Sequence, residues 1–426
     1  MKQHSHCQLW LAARLLLVLA PVAGAAQQPL TWEQVRARFE SNNPALKADS
    51  LAVDEARASE ITANLRPNPQ LTLATDGTQI APHNGVWQPL AGTDLVPTLS
   101  YLHERSHKRE LRLESAKDST RIAAAQHEDL RRTLEFTLRS AFVGVLQAKS
   151  VVLLAESDLD YYDKIIAISR ARLKDGDLAQ IDFDRIELLR AQYEVEIANA
   201  RVSLRTAKIQ LEQLLNDRTP VEQFDVTGAF EFNEALPTQD DVRTAALSAR
   251  PDLEAALVAM KQAQTNYKLA IANGSTDPTF SGWYTWNASN NNPNANQTLG
   301  MSVSVPLRMF DRNQGEKQRT RIDIERTQQA SDTVRAQVFS DVDSAYTQVR
   351  SDVGLLLRYR DQYRAQSARV RDTVTYSYQH GAASLMDFLN AQSDYRTIQL
   401  AYLQLVGSYM TAAAQLNLAV GREVLP

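Results

Sequence analysis

His103 and His107 stand four residues apart, the spacing that puts two imidazoles on one face of a helix, where they could hold a metal ion. No third ligand stands nearby, so the pair reads as exposed surface. Asp175-Gly176-Asp177 alternates acid and glycine as calcium loops do, but it is too short to be one. Asn287-Ala288-Ser289 and Asn296-Gln297-Thr298 fit the glycosylation pattern and read as ordinary polar loop residues. The sequence holds a single cysteine, Cys7, and shows no phosphate loop, nucleophile elbow or Cys/His cluster. No catalytic residue, resident metal or cofactor is expected, and the chain does not read as an enzyme. Whatever it does must follow from the elements themselves.

Lys2 and Arg14 precede or flank an apolar stretch, Leu9 to Ala20, that runs into Ala23-Gly24-Ala25. That is the layout of a secretory signal peptide over residues 1–25. Its apolar core of about 12 residues is short of the roughly 20 a spanning helix needs. Cys7 leaves with the signal, so it cannot be a lipid-anchored first residue of the mature chain. Removing Lys2 and Arg14 from the 46 basic residues leaves 44 against 50 acidic, a net of −6 that gives no reason to expect nucleic acid as a partner. The mature chain has no uncharged apolar run long enough for a helical span. If it crosses a membrane, it does so as β-strands.

The chain reads as a tandem duplication. "TWEQVRARFESNNPAL" (Thr31 to Leu46) matches "TQDDVRTAALSARPDL" (Thr238 to Leu253), and "GDLAQIDF" (Gly176 to Phe183) matches "GAASLMDF" (Gly381 to Phe388). This divides the mature sequence into a first repeat at 26–219, an inter-repeat linker at 220–237 and a second repeat at 238–426. Each half is expected to run helix, strand pair, long helix, turn, helix. Thr31 with Gln34, and Thr238 with Asp241, carry capping signals for the first helices, which Pro44 and Pro251 break early.

Prolines then cluster from Pro67 to Pro97 and from Pro278 to Pro306, beside the polar loop Asn287 to Gln297. The flanks alternate with period two. Leu299, Met301, Val303 and Val305 are apolar between small or polar neighbours, and Phe280, Tyr284 and Trp286 share one face with Trp283 on the other. Leu71 and Leu73, then Leu95, Leu99 and Tyr101, repeat the pattern more weakly. Four strands in two hairpins result.

No proline separates Pro97 from Pro220, or Pro306 from Pro426. A helix from about Leu111 to Lys174 would extend roughly 95 Å, too long for one globular core, so it must pack against other rods. The returning helices carry seven-residue seams: Ile186, Tyr193, Ala200, Ala207 and Leu214 in one half, Ala391, Ile398, Leu405, Ala412 and Ala419 in the other. The accompanying row Tyr395, Tyr402 and Tyr409 reads as packing.

Four strands cannot close a barrel, and an open sheet in lipid would leave backbone groups unsatisfied along two edges. Several copies must pool their strands. The repeat, the hairpins, the long helices, the Gly-centred turns and the segment "VPLRMFDRNQGE" together resemble the TolC-type outer-membrane efflux proteins, in particular the cation-efflux, CzcC-like branch. The similarity runs from about Leu30 to Gly421. It implies a mainly α fold with a β-barrel part: tandem-duplicated coiled helices plus four transmembrane strands per chain, closing as a homotrimer with a 12-stranded barrel in outer-membrane lipid and an α-helical periplasmic tunnel. It further implies a periplasmic adaptor and an inner-membrane pump of the RND type as partners, with heavy-metal cations as one class of cargo.

By the same resemblance, adaptors dock on the turns, at Gly176, Leu178, Gly381 and Leu385, and acidic residues just after them line the closed aperture. Asp387 matches that position; Asn390 occupies the second acidic place, and Asp182 is the first-half counterpart. The bland reading is that Asp387 and Asp182 cap helices. One departure stands out: "YLHERSHKRE" lacks the glycine the family usually has before its Lys-Arg pair, so His107 is expected to alter the strand-to-helix bend. The competing reading from another class is a soluble periplasmic coiled-coil scaffold or adaptor.

Overall fold

The computed structural model describes residues 28–286 and 294–426. The signal peptide read at 1–25 and the first part of the Asn-rich loop, 287–293, lie outside the described residues.

Helix α1, Trp32–Asn42, opens on the expected capping box, in which Thr31 accepts from the Gln34 N–H and the Gln34 amide oxygen accepts from the Thr31 N–H. Pro44 ends α1 but immediately starts another helix, α2, Pro44–Asn64, because proline suits the first helical position and the Asn43 side chain accepts from the N–H groups of Ala45 and Leu46. Proline likewise starts α6, Pro251–Asn273, directly after α5, Gln239–Ala249, there without a side-chain cap from Arg250. Two helices therefore precede each strand pair, where the sequence suggested one.

Between α2 and α5 lie β1 (Gln70–Asp76), β2 (Asp94–Leu102), α3 (Lys108–Asp175) and α4 (Gln180–Leu215). After α6 come β3 (Thr279–Trp286), β4 (Gln297–Ser304), α7 (Gln314–Arg358), α8 (Arg364–Gln379) and α9 (Leu385–Val420). The 68 residues of α3 make a rod of about 100 Å. One stretch of α3 is long and apolar enough to cross a membrane by length and composition. The same helix supplies Leu138, Phe142, Val143, Val145 and Leu146 to a buried core, and 39% of the apolar stretch is buried.

The second long rod is not continuous. Between α7 and α8, residues Tyr359–Tyr363 form a single widened π turn, with the two tyrosine rings edge to face at 5.3 Å. Neither proline nor glycine marks this place.

Two cores hold the helices together. The larger gathers Phe39 of α1, Leu138 and Phe142 of α3, Leu211 and Leu215 of α4, Leu356 of α7 and Leu416 of α9, together with Phe224 and Val226 from the segment between α4 and α5. Lys149 and Lys208 tie that segment down by donating to the carbonyls of Val226 and Phe224, each at 2.8 Å. The smaller core sits where α3, α4, α8 and α9 meet at their turns. Along the returning helices Ile186, Tyr193, Ala200, Ala391 and Ala412 are buried, the packing role read for the seams.

Candidate functional site: channel wall and helical tips

The four strands form one antiparallel sheet in the order β1-β2-β3-β4, so β2 and β3 pair across the two halves while one edge each of β1 and β4 stays open among the described residues. Leu99 faces Leu71 on one side and Gly282 on the other, and Gly282 faces Met301. The apolar side chains of this face, Leu71, Leu73, Leu99, Phe280, Leu299, Met301 and Val303, are turned to the outside, from 49% exposed at Phe280 to 81% at Met301. The opposite face carries Thr72, Thr98, Ser100, Ser281 and Ser302 in register. An apolar exposed face backed by a hydroxyl face is the alternation expected of a membrane barrel strand. In a water-soluble sheet the leucine face would be the covered one.

Beneath the sheet the chain turns into its long helices through left-handed residues, two before α3, Ser106 (φ 60°) and His107, and one before α7. His107, φ 56°, precedes α3, and Asn313, φ 61°, precedes α7. His107, where the family usually has glycine, adopts a left-handed backbone together with Ser106. His103 lies in the loop after β2 and His107 precedes the first residue of α3, so the two imidazoles do not share a helix face; this corrects the metal-pair geometry considered from spacing. Among the described residues no group of three His, Cys, Asp or Glu side chains is placed to hold a metal ion. The junction is pinned by Lys108, buried, whose ammonium donates to Asp277 Oδ2 at 2.6 Å and to the Ser275 carbonyl at 3.0 Å.

At the far ends of the rods the two turns pack as one tip. Gly176 takes φ 84° as the C-cap of α3, and Gly381 takes φ 75° one residue beyond His380, the C-cap of α8. Leu385 is buried in the tip core with Phe183 and Phe388, and Leu178 is half-buried against that core, while Gly176 and Gly381 are exposed. Phe388 is fully buried and stacks on Tyr378 with ring centroids 4.9 Å apart.

Ser384 and Asp387 form a reciprocal capping box: Ser384 Oγ accepts from the Asp387 N–H at 3.1 Å, and Asp387 Oδ2 accepts from the Ser384 N–H at 3.2 Å. Asp387 and Asn390, three residues apart on α9, are both exposed. Asp182, on the neighbouring hairpin, is half-buried with Arg185 at 3.9 Å; it caps nothing, because the N-cap of α4 is Ala179, which makes no side-chain bond.

A layer invisible to spacing arguments lies farther along the rods. Arg396 of α9 meets Asp158 of α3 at 3.3 Å and pairs with Glu196 of α4, while its guanidinium covers the Tyr193 ring at 4.9 Å. Arg371 of α8 covers the Tyr395 ring at 3.9 Å. Burial pushes the Asp158 carboxyl up to about 6, with Arg396 opposing and Glu196 reinforcing the rise. No motif flags these residues; the arginines became meaningful only when four helices brought them together.

The comparisons with known proteins agree with this geometry. A family model described as outer membrane efflux protein matches residues 36–217 and again 242–422. The cobalt-zinc-cadmium resistance protein CzcC of Cupriavidus metallidurans is 22% identical over 407 residues, spanning 93% of this chain and 91% of that protein. The outer membrane efflux protein BepC of Brucella suis is 24% identical over 309 residues, covering 70% of this chain and 66% of its own length. A crystal structure of CusC superimposes with a TM-score of 0.77 at 17% identity, covering 92% of each chain.

Proposed function

The chain belongs to the outer membrane efflux protein family, and from that premise we propose that three copies join their sheets into one closed barrel that serves as the exit duct of a tripartite efflux system. The observation that carries this reading is the four-stranded panel: its lipid-compatible face, its hydroxyl face and its two open edges leave closure with further copies as the way to satisfy the backbone in a membrane. Family membership sets aside a soluble scaffold. Conduction through such a duct is passive, and the energy comes from the inner-membrane pump, of the RND type, coupled through a periplasmic adaptor docked at the tips beside Gly176 and Gly381.

Opening means parting the tips. Phe183, Phe388, Leu178 and Leu385 hold each chain's tip together, and at the gate Asp387 contributes one carboxylate per copy to a ring that Asn390 does not double, with Asp182 as the first-half counterpart. Like charges drawn together disfavour the closed state. The similarity to a cobalt-zinc-cadmium resistance protein supports divalent metal cations as cargo. Insertion of the purified protein into planar lipid bilayers should give discrete conductance steps, and its deletion should raise cellular zinc and cobalt in a strain that carries the matching pump. A detergent-free monomer without conductance would overturn the duct, and unchanged metal levels would overturn the cargo.

A further inference from the structure

Away from the sheet and the tips, α1, α3, the end of α9 and the tail after it surround a cavity of about 270 Å³, several times the ~30 Å³ share of one water. Phe136, Ala414 and Leu418 supply apolar wall, and Trp32 and Arg139 close one side. The Arg139 guanidinium lies 4.5 Å from the Trp32 ring centroid, and Trp32 is itself held against Phe142 at 5.5 Å. That stacking fixes the guanidinium but uses none of its N–H donors.

Three of the other arginines at the cavity are paired, while the fourth, Arg422, is exposed in the tail. Arg36 pairs with Glu135 at 2.9 Å, Arg131 with Glu128 at 2.7 Å, and Arg132 donates to the Leu418 carbonyl at 2.5 Å. Arg139 has neither an ion pair nor a hydrogen bond among the described residues and, unlike the exposed Arg422, it is half-buried and held by stacking; Glu423 and Glu135, which also line the cavity, and Glu33 face it without pairing with it. Burial depresses its basicity in spite of those acids. A half-buried, preorganised fork with free donors opening on an amphipathic cavity fits a planar oxyanion carried on an apolar body.

We infer that this cavity is a binding site for small organic carboxylates, the carboxylate held by Arg139 and the apolar body resting on Phe136 and Leu418. The site does not depend on the duct reading, since it lies within one chain. Phenylacetate is a suitable probe, titrated calorimetrically into the mature full-length protein in detergent, with 2-phenylethanol as the neutral counterpart of the same shape. Saturable heat is expected from phenylacetate and none from 2-phenylethanol, and Arg139→Gln should weaken phenylacetate at least tenfold while preserving the helical circular-dichroism signal. Equal binding of the alcohol, equal binding by the variant, or no binding of phenylacetate would each overturn the site. The alcohol comparison uses the unaltered protein, so the test survives a variant that fails to fold.

Discussion

The Trp283 indole covers Gly300 across the β3–β4 pair, on the hydroxyl side of the sheet: a Cβ placed on Gly300 would lie 2.2 Å from Trp283 Cε2. The glycine exists to receive the indole, in the way that aromatic side chains cover glycines in other curved sheets.

Gly300→Ala should therefore force Trp283 off its seat and into the interior space. The expected cost is about 1–3 kcal/mol from overpacking, read as a lower melting temperature of the purified protein. Single-channel conductance should fall with it, and Trp283→Ala in the same chain should restore both.

His107 holds a left-handed backbone at φ 56° in the position that begins α3. A side chain pays for that conformation by about 1–2 kcal/mol, and glycine avoids it. His107→Gly is expected to raise stability by about 1 kcal/mol, and His107→Val to lower it by a similar amount or more. Thermal unfolding of the two variants beside the parent gives the comparison, and opposite signs are required.

Asp387 has two separable jobs, an acceptor in the capping box of α9 and a charge at the tip. Alanine removes both and should cost about 1 kcal/mol of helix stability. Asparagine keeps an acceptor and removes only the charge. Asp387→Asn should thus melt near the parent yet shift bilayer conductance as far as Asp387→Ala does; a parental conductance would leave Asp387 as a cap alone.

The Asp158 carboxyl, 14% exposed beside Arg396, is pushed by burial from 3.8 to about 6. Its folded value lies above its unfolded one, so the native chain binds the proton more readily between the two. Stability tied to this group grows as pH falls through about 6 and is complete below 3.8, amounting to at most ~3 kcal/mol. Chemical unfolding at pH 7.5 and at pH 5 should show the parent gaining more than Asp158→Asn over that interval.

Much of the architecture could be read in residue order because it rests on local rules. Alternation placed the strands, since Leu299, Met301 and Val303 must share a face once the backbone is extended, and freedom from proline placed α3 to within a few residues of its ends. Thr31 and Ser384 announced helix starts through bonds spanning three residues. What escaped depends on groups distant in sequence. The continuation of the chain as α2 needed Asn43 to cap behind Pro44, the π turn at Tyr359–Tyr363 has no breaker residue, and the Arg396 layer joins side chains from three helices. Leu178 and Leu385 stood out as turn residues, but only packing revealed that they face inward.

The open rims of β1 and β4 carry a genetic consequence. In the proposed three-copy barrel one faulty member is not tolerated, because a bad strand deprives an intact copy of its backbone partners as well. Alleles that damage either rim should therefore be dominant over the normal gene when both are expressed, and assembled pores should decline as the cube of the normal fraction when three copies are drawn at random. Alleles that merely stop synthesis should remain recessive.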